Sequence, residues 1–227
     1  MGAAQRKLAA AGIVAVALVA SACTTNQGGT TTGGAGAGST DAAITVRGCT
    51  PENPLIGANT TEVCGGNVLD AVTAKLVHYN SATAAPEMDI AESIATTDNQ
   101  NFTVKLVKGY KFQDGTEVKS KNFVDAWNYA AYGPNGMSSG YFMEPLEGYG
   151  DLQCTGPAAD AAGAVTDPCA GAGAAKAKAL TGLKVVDDYT FTIKTTLPVS
   201  NLPVRLGYSA FSPMPDKFFA DPKSDSF

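Results

Sequence analysis

One histidine, five cysteines and a Gly-Tyr-Ser-Ala tetrad are the residues of this 227-residue chain whose types and spacing could carry chemistry. His78 has no second histidine to share acid–base work with and ends the apolar run Leu76-Val77, so a structural role is expected for it. Gly207-Tyr208-Ser209-Ala210 has the outline of a nucleophile elbow. Ala210 stands where the second glycine is needed, and no suitable aspartate and histidine follow, which argues against a serine hydrolase. The cysteines include no Cys-x-x-Cys pair, and a single histidine cannot complete a zinc site, so no metal is expected. Glycines at 33, 34, 36 and 38 lie in a polar run with no strand before them and form no dinucleotide loop. These residues point to a protein that is not an enzyme and needs no cofactor.

Cys49, Cys64, Cys154 and Cys169 make an even set behind an export signal, the pattern of a disulfide framework. Three pairings are open. Equal separations of 15 positions, each bracketing turn-rich sequence, favour Cys49 with Cys64 and Cys154 with Cys169. The export signal is residues 1–22: Arg6 and Lys7, an uncharged run from Leu8 to Ala20, then small residues before Cys23. Leu18-Val19-Ala20-Ser21-Ala22-Cys23 resembles a bacterial lipobox, which implies diacylation of Cys23 and cleavage before it. The other reading is an ordinary small-x-small cleavage site with Cys23 a spare thiol. Residues 24–40 hold only Thr, Asn, Gln, Gly, Ala and Ser, a flexible leash reaching roughly 20 to 25 Å, and that favours the anchor. With no further apolar stretch of about 18 residues, membrane attachment is expected through the lipid alone.

Removing residues 1–22 takes away two bases and no acid, so the formal charge of −5 becomes −7. An acidic domain with scattered lysines is a poor match for nucleic acid. Residues 41–227 suffice for one substantial core, or for one lobe and part of another.

The elements that must position any site are legible in patches. Phe102, Val104 and Leu106 alternate with Thr103 and Lys105 as in a half-buried strand, and Asp114-Gly115 supplies a tight turn. Phe123, Val124, Trp127 and Ala130 or Ala131 then form one apolar stripe on a helix that Gly133-Pro134 ends, with Trp127 and Phe123 in the core and Ser120 the expected cap. Ile44 to Val46 reads as a short strand and Val68 to Val77 as a helix. Leu183–Val186 and Tyr189–Lys194 read as a hairpin about Asp187-Asp188, while Gly156 to Ala175 is a low-complexity surface excursion and Pro198 to Pro215 a helix-poor connection.

The stretch from Asn101 through Lys108, Phe112-Gln113-Asp114-Gly115-Thr116 and Phe123-Val124-Asp125-Ala126-Trp127 closely resembles the signature region of family 5 extracytoplasmic solute-binding proteins. The likeness extends from about Ile44 to the last residue. It implies an α/β, periplasmic-binding-protein-like fold of type II with two discontinuous lobes, of which this chain is expected to supply the N-terminal part. Residues 41–80 would open the principal lobe, 81–182 form its smaller subdomain, and 183–227 return to it. The resemblance further implies a monomeric, lipid-anchored, extracytoplasmic receptor that passes oligopeptides to an ABC permease and ATPase complex. In this picture the peptide main chain pairs with the lobe as an added strand. Two segments are the expected ligand contacts: Asn59, Thr60 and Thr61 in the loop Gly57–Glu62, and Tyr208 with Ser209 near the hinge. A non-peptide solute such as a nickel complex, a haem or an oligosaccharide is the alternative within the fold. A surface signalling protein that has lost transport, or a secreted enzyme with its catalytic residues elsewhere, are alternatives outside it.

Overall fold

The computed structural model describes residues 47–164 and 166–222; the expected leader, Cys23, the leash and the strand Ile44–Val46 lie outside them. In chain order the elements are α1 (Val63–Val72), β1 (Val77–Tyr79), β2 (Pro86–Met88), β3 (Ala91–Thr96), β4 (Asn101–Leu106), α2 (Ser120–Ala131), β5 (Leu183–Asp187), β6 (Thr190–Lys194), α3 (Leu202–Arg205) and α4 (Asp216–Ala220). Short 3-10 turns fill the connections.

The alternation in β4 sends Phe102, Val104 and Leu106 to one face, where all three are buried. β6 repeats the pattern with Phe191 and Ile193, and the two strands pair antiparallel with Val104 opposite Phe191. The sheet runs β3-β4-β6-β5, so the hairpin about Asp187 and Asp188 is added beside β4 rather than packed elsewhere. Strands on either side of the expected division at 182 and 183 therefore share one sheet. Over the apolar face lies α2, with Phe123 stacked on Phe191 at 5.8 Å and Trp127 edge-on to it at 5.6 Å. Full burial of each such side chain contributes about 1.5 to 3 kcal/mol.

Local signals explain the joints. The turn before α2 closes through Lys111 opposite Glu117, with Asp114 accepting from the Thr116 N–H and hydroxyl. Gly115 there has φ +84°, which favours glycine. The helix begins one residue earlier than the expected Ser120 cap: Lys119 is the cap position and its N–H donates to Asn122 Oδ1 at 2.9 Å. Ser120 is instead helical, and its hydroxyl is buried with no hydrogen-bond partner among the described residues.

The expected helix from Val68 to Val77 is displaced. It occupies Val63–Val72, capped by Glu62, whose carboxylate accepts from the Gly65 N–H at 2.7 Å, and it stops at Thr73. Leu76 and Val77 are buried as expected, but from the start of β1, which pairs with β2 in a separate hairpin. His78 faces Glu87 across that exposed hairpin at 3.1 Å, with no nucleophile among its partners. Both disulfides form as the spacing favours, Cys49 with Cys64 and Cys154 with Cys169. The second brackets the largely exposed excursion, which carries no strand or α-helix among its described residues.

Candidate functional site

The loop closed by the Cys49–Cys64 disulfide is turned inward by Ile56 and Ala58, both buried. The N–H groups of Asn59 and Thr60 both donate to the Ile56 carbonyl, at 2.8 and 2.9 Å, so residues 57–59 form a tight turn. Thr60 is only 5% exposed, and its hydroxyl donates to the Pro54 carbonyl at 3.0 Å. Asn59 places Oδ1 as acceptor for the Ser138 N–H and hydroxyl, leaving its Nδ2 group unbonded among the described residues. Thr61 is exposed.

This loop meets the second expected segment directly. A Cβ on Gly57 would stand 2.1 Å from the Ser209 carbonyl oxygen, so the two backbones are in contact. Ser209 opens a 3-10 turn, Ser209–Phe211, whose last carbonyl accepts from the buried Trp127 indole N–H at 3.0 Å. The Ser139 N–H donates to the Ala58 carbonyl, bringing the connection after α2 to the same place. Asn59, Thr61, Tyr208 and Ser209 thus belong to loops that converge, whereas Thr60 serves the loop's own interior.

A row of rings completes the face. Tyr208 packs edge-on against Phe142 at 5.4 Å and lies 6.4 Å from Tyr79, while Tyr141 lies 4.7 Å from Phe142. Tyr141, Tyr208 and Tyr79 remain 58%, 42% and 37% exposed, an unusual concentration of large rings at one surface. Tyr79 is fixed by its hydroxyl, which donates to the Val204 carbonyl at 2.6 Å, and Gly207 leaves room for its ring. Partial burial, then the Tyr208 hydroxyl and the Asp70 carboxylate, push the Tyr79 phenol up, so it stays neutral. Tyr141, Phe142, Ser138 and Tyr79 were not singled out from sequence. The dense pair Tyr141-Phe142 was the available signal, but only the fold shows that it meets Tyr208.

The face offers hydrogen-bonding amide and hydroxyl groups beside neutral aromatic rings. Such a set can hold and orient a ligand by stacking and hydrogen bonding. Among the described residues no group of three or more His, Cys, Asp or Glu side chains is placed to hold a metal ion, and no helix is long and apolar enough to cross a membrane. Ionised side chains have structural partners: Lys75 pairs with Asp70 at 3.0 Å, Lys119 with Asp188 at 2.7 Å, and Lys121 joins Asp125 on its own helix to Asp216 at the start of α4.

Residues 85–226 match the family model described as bacterial extracellular solute-binding proteins, family 5 Middle. No curated protein sequence matches the chain. Among solved structures, it is similar to Listeria monocytogenes OppA bound to peptide, with 21% identity and a TM-score of 0.59, covering 74% of this chain and 30% of that one. The substrate-binding domain of an oligopeptide ABC transporter from Bacillus anthracis shares 19% identity with a TM-score of 0.62, over 78% of this chain and 31% of that one. The Escherichia coli murein tripeptide binding protein MppA shares 20% identity with a TM-score of 0.58, over 76% and 30%. The chain spans less than a third of the length of these structures, and at such identities the likeness is one of fold.

Proposed function

Because the chain belongs to the bacterial extracellular solute-binding proteins of family 5, we propose that it captures peptides outside the cytoplasm and delivers them to an ABC import permease and its ATPase, without making or breaking a bond. The observation that carries the peptide reading is the convergence of Asn59 and Thr61 with Tyr208 and Ser209 at one face bearing exposed rings. Amide and hydroxyl groups suit the uncharged main chain of a peptide, and the rings suit its side chains. The similar solved structures include Listeria monocytogenes OppA bound to peptide, and the match extends over most of this chain, which supports the reading.

In this mechanism the chain supplies the smaller subdomain and adjoining parts of a principal lobe. A second lobe closes over the ligand by hinge motion, and closure couples occupancy to permease docking. Cys23 carries a diacylglyceryl group, and residues 24–40 form the leash that holds a monomeric receptor outside the cell membrane.

Native mass spectrometry of the protein released gently from membranes tests this. The expected spectrum shows a diacyl adduct on Cys23 and a spread of retained small-peptide masses. A protein with no adduct, retaining nothing from an added tryptic peptide mixture, overturns it. A single recurring glycan mass would move the ligand to saccharides on the same fold.

A further inference from the structure

Two halves of the candidate face meet at Gly57. A Cβ built there would lie 2.1 Å from the Ser209 carbonyl oxygen, 3.1 Å from its carbon and 3.4 Å from Ser212 Cβ. Backbone atoms cannot be swung aside as a flexible side chain can. Gly57 does not have the positive φ that otherwise selects glycine, so its requirement here is space alone. Glycine at 66, in the first turns of α1, faces nothing within 4 Å, and the same substitution there has nothing to displace.

We propose that Gly57 is a positioning residue for ligand capture: its missing side chain sets the distance between the loop bearing Asn59 and Thr61 and the turn bearing Tyr208 and Ser209. The mechanism follows from the geometry. Adding a methyl at 57 drives the Ser209 carbonyl outward, and Ser209–Phe211 is one 3-10 turn, so the Phe211 carbonyl moves with it. That carbonyl is the acceptor for the indole of Trp127, the only tryptophan in the chain. Displacement at the face is therefore visible at a buried reporter. The loop itself is held from its other side by the Cys49–Cys64 disulfide and by the Ser139 N–H on the Ala58 carbonyl, so the strain cannot be relieved by letting the loop float away.

The inference rests on the ligand-binding reading of this face, and the test separates the two. Gly57→Ala and Gly66→Ala are made in the 227-residue chain, and each is followed by the 15N–1H resonance of the Trp127 indole, by thermal midpoint, and by retention of a synthetic pool of neutral tripeptides. The expected result is an indole resonance that moves in Gly57→Ala only, with tripeptide retention at least tenfold weaker and a folded protein. A moved resonance in a chain whose unsubstituted form retains no tripeptide upholds the positioning role and removes the peptide reading. An unmoved resonance with unchanged retention overturns the inference. So does a Gly57→Ala chain that fails to fold while Gly66→Ala folds, because the contact would then belong to the core and not to the face.

Discussion

The indole N–H of Trp127 donates to the carbonyl of Phe211 across 84 positions of sequence, and the two rings meet edge-on with centroids 5.2 Å apart. This pair joins α2 to the segment that carries Tyr208. Replacing Trp127 by Phe keeps an aromatic ring but removes the donor and part of the volume, leaving a buried carbonyl unsatisfied. The expected loss is about 2 to 4 kcal/mol in urea unfolding, of which the unsatisfied carbonyl is the larger share. A loss below about 1 kcal/mol would mean that Phe211 finds another donor.

Rings continue outward from that pair: Phe211 to Phe142 at 6.3 Å, then Phe142 to Tyr208 at 5.4 Å. Tyr208→Ala and Tyr141→Ala remove exposed rings whose hydroxyls make no hydrogen bond among the described residues, so stability should change by less than about 1 kcal/mol. Peptide retention should weaken about tenfold, equivalent to ~1.4 kcal/mol, if the rings hold ligand side chains. Equal retention in both variants, measured by calorimetry with a neutral tripeptide pool, would remove the rings from the site.

Sequence alone carried β4, the β5–β6 hairpin and most of the helix that covers them, but not β3, because strict alternation in Phe102-Thr103-Val104-Lys105-Leu106 admits one period and the stripe through Phe123 and Trp127 admits another. It misplaced α1, since Val63-Cys64-Gly65-Gly66 is poor helix-forming sequence and the helix depends on the Glu62 cap and on Leu69 packing, which no local pattern announces. It assigned the cap of α2 to Ser120, but Asn122 reaches back to the Lys119 N–H and satisfies that donor instead. For the site, residue types in two loops were readable as candidates. Their contact through Gly57 was not, and neither was the arrival of Tyr79 beside Tyr208, 129 positions away. Long-range convergence of loops is set by the packing beneath them, here by Ile56, Ala58 and Phe211.

The two disulfides close loops of equal length, each with a sequence separation of 15, so chain entropy predicts about 3 kcal/mol for either. Their functional weight should differ. Cys49–Cys64 ties the loop bearing Asn59 to α1, and replacing both cysteines by serine should weaken peptide retention several-fold beyond any unfolding. Cys154–Cys169 ties an exposed excursion and lies against the backbone at Gly133, after α2. Its double serine variant should lose similar stability and keep retention. Side-by-side thermal and binding titrations check this, and equal loss of retention in both variants would contradict it.

Acid should weaken the turn between β3 and β4. Asp98 accepts from the Asn101 N–H and side-chain amide, both at 2.7 Å, from the Gln100 N–H at 2.9 Å, and from the Thr96 hydroxyl at 3.3 Å. The Asn101 N–H contributes most, followed by its side-chain amide, and together these donors hold the Asp98 carboxyl far below the usual carboxylate range. The turn also holds Asn99 in the left-handed region at φ +57°, so Asp98 fixes a conformation the chain adopts reluctantly. A depressed pKa means that the folded state favours the charged form. Its contribution is therefore complete above the ordinary aspartate value, about pH 4, and is lost as pH falls below it toward the folded value. Asp98→Asn cannot titrate. The gap in thermal midpoint between the parent chain and this variant should be widest near pH 6 to 7 and narrow steadily from about pH 4 to pH 2. A gap that stays constant over that range would show that Asp98 acts through shape and hydrogen bonding without its charge.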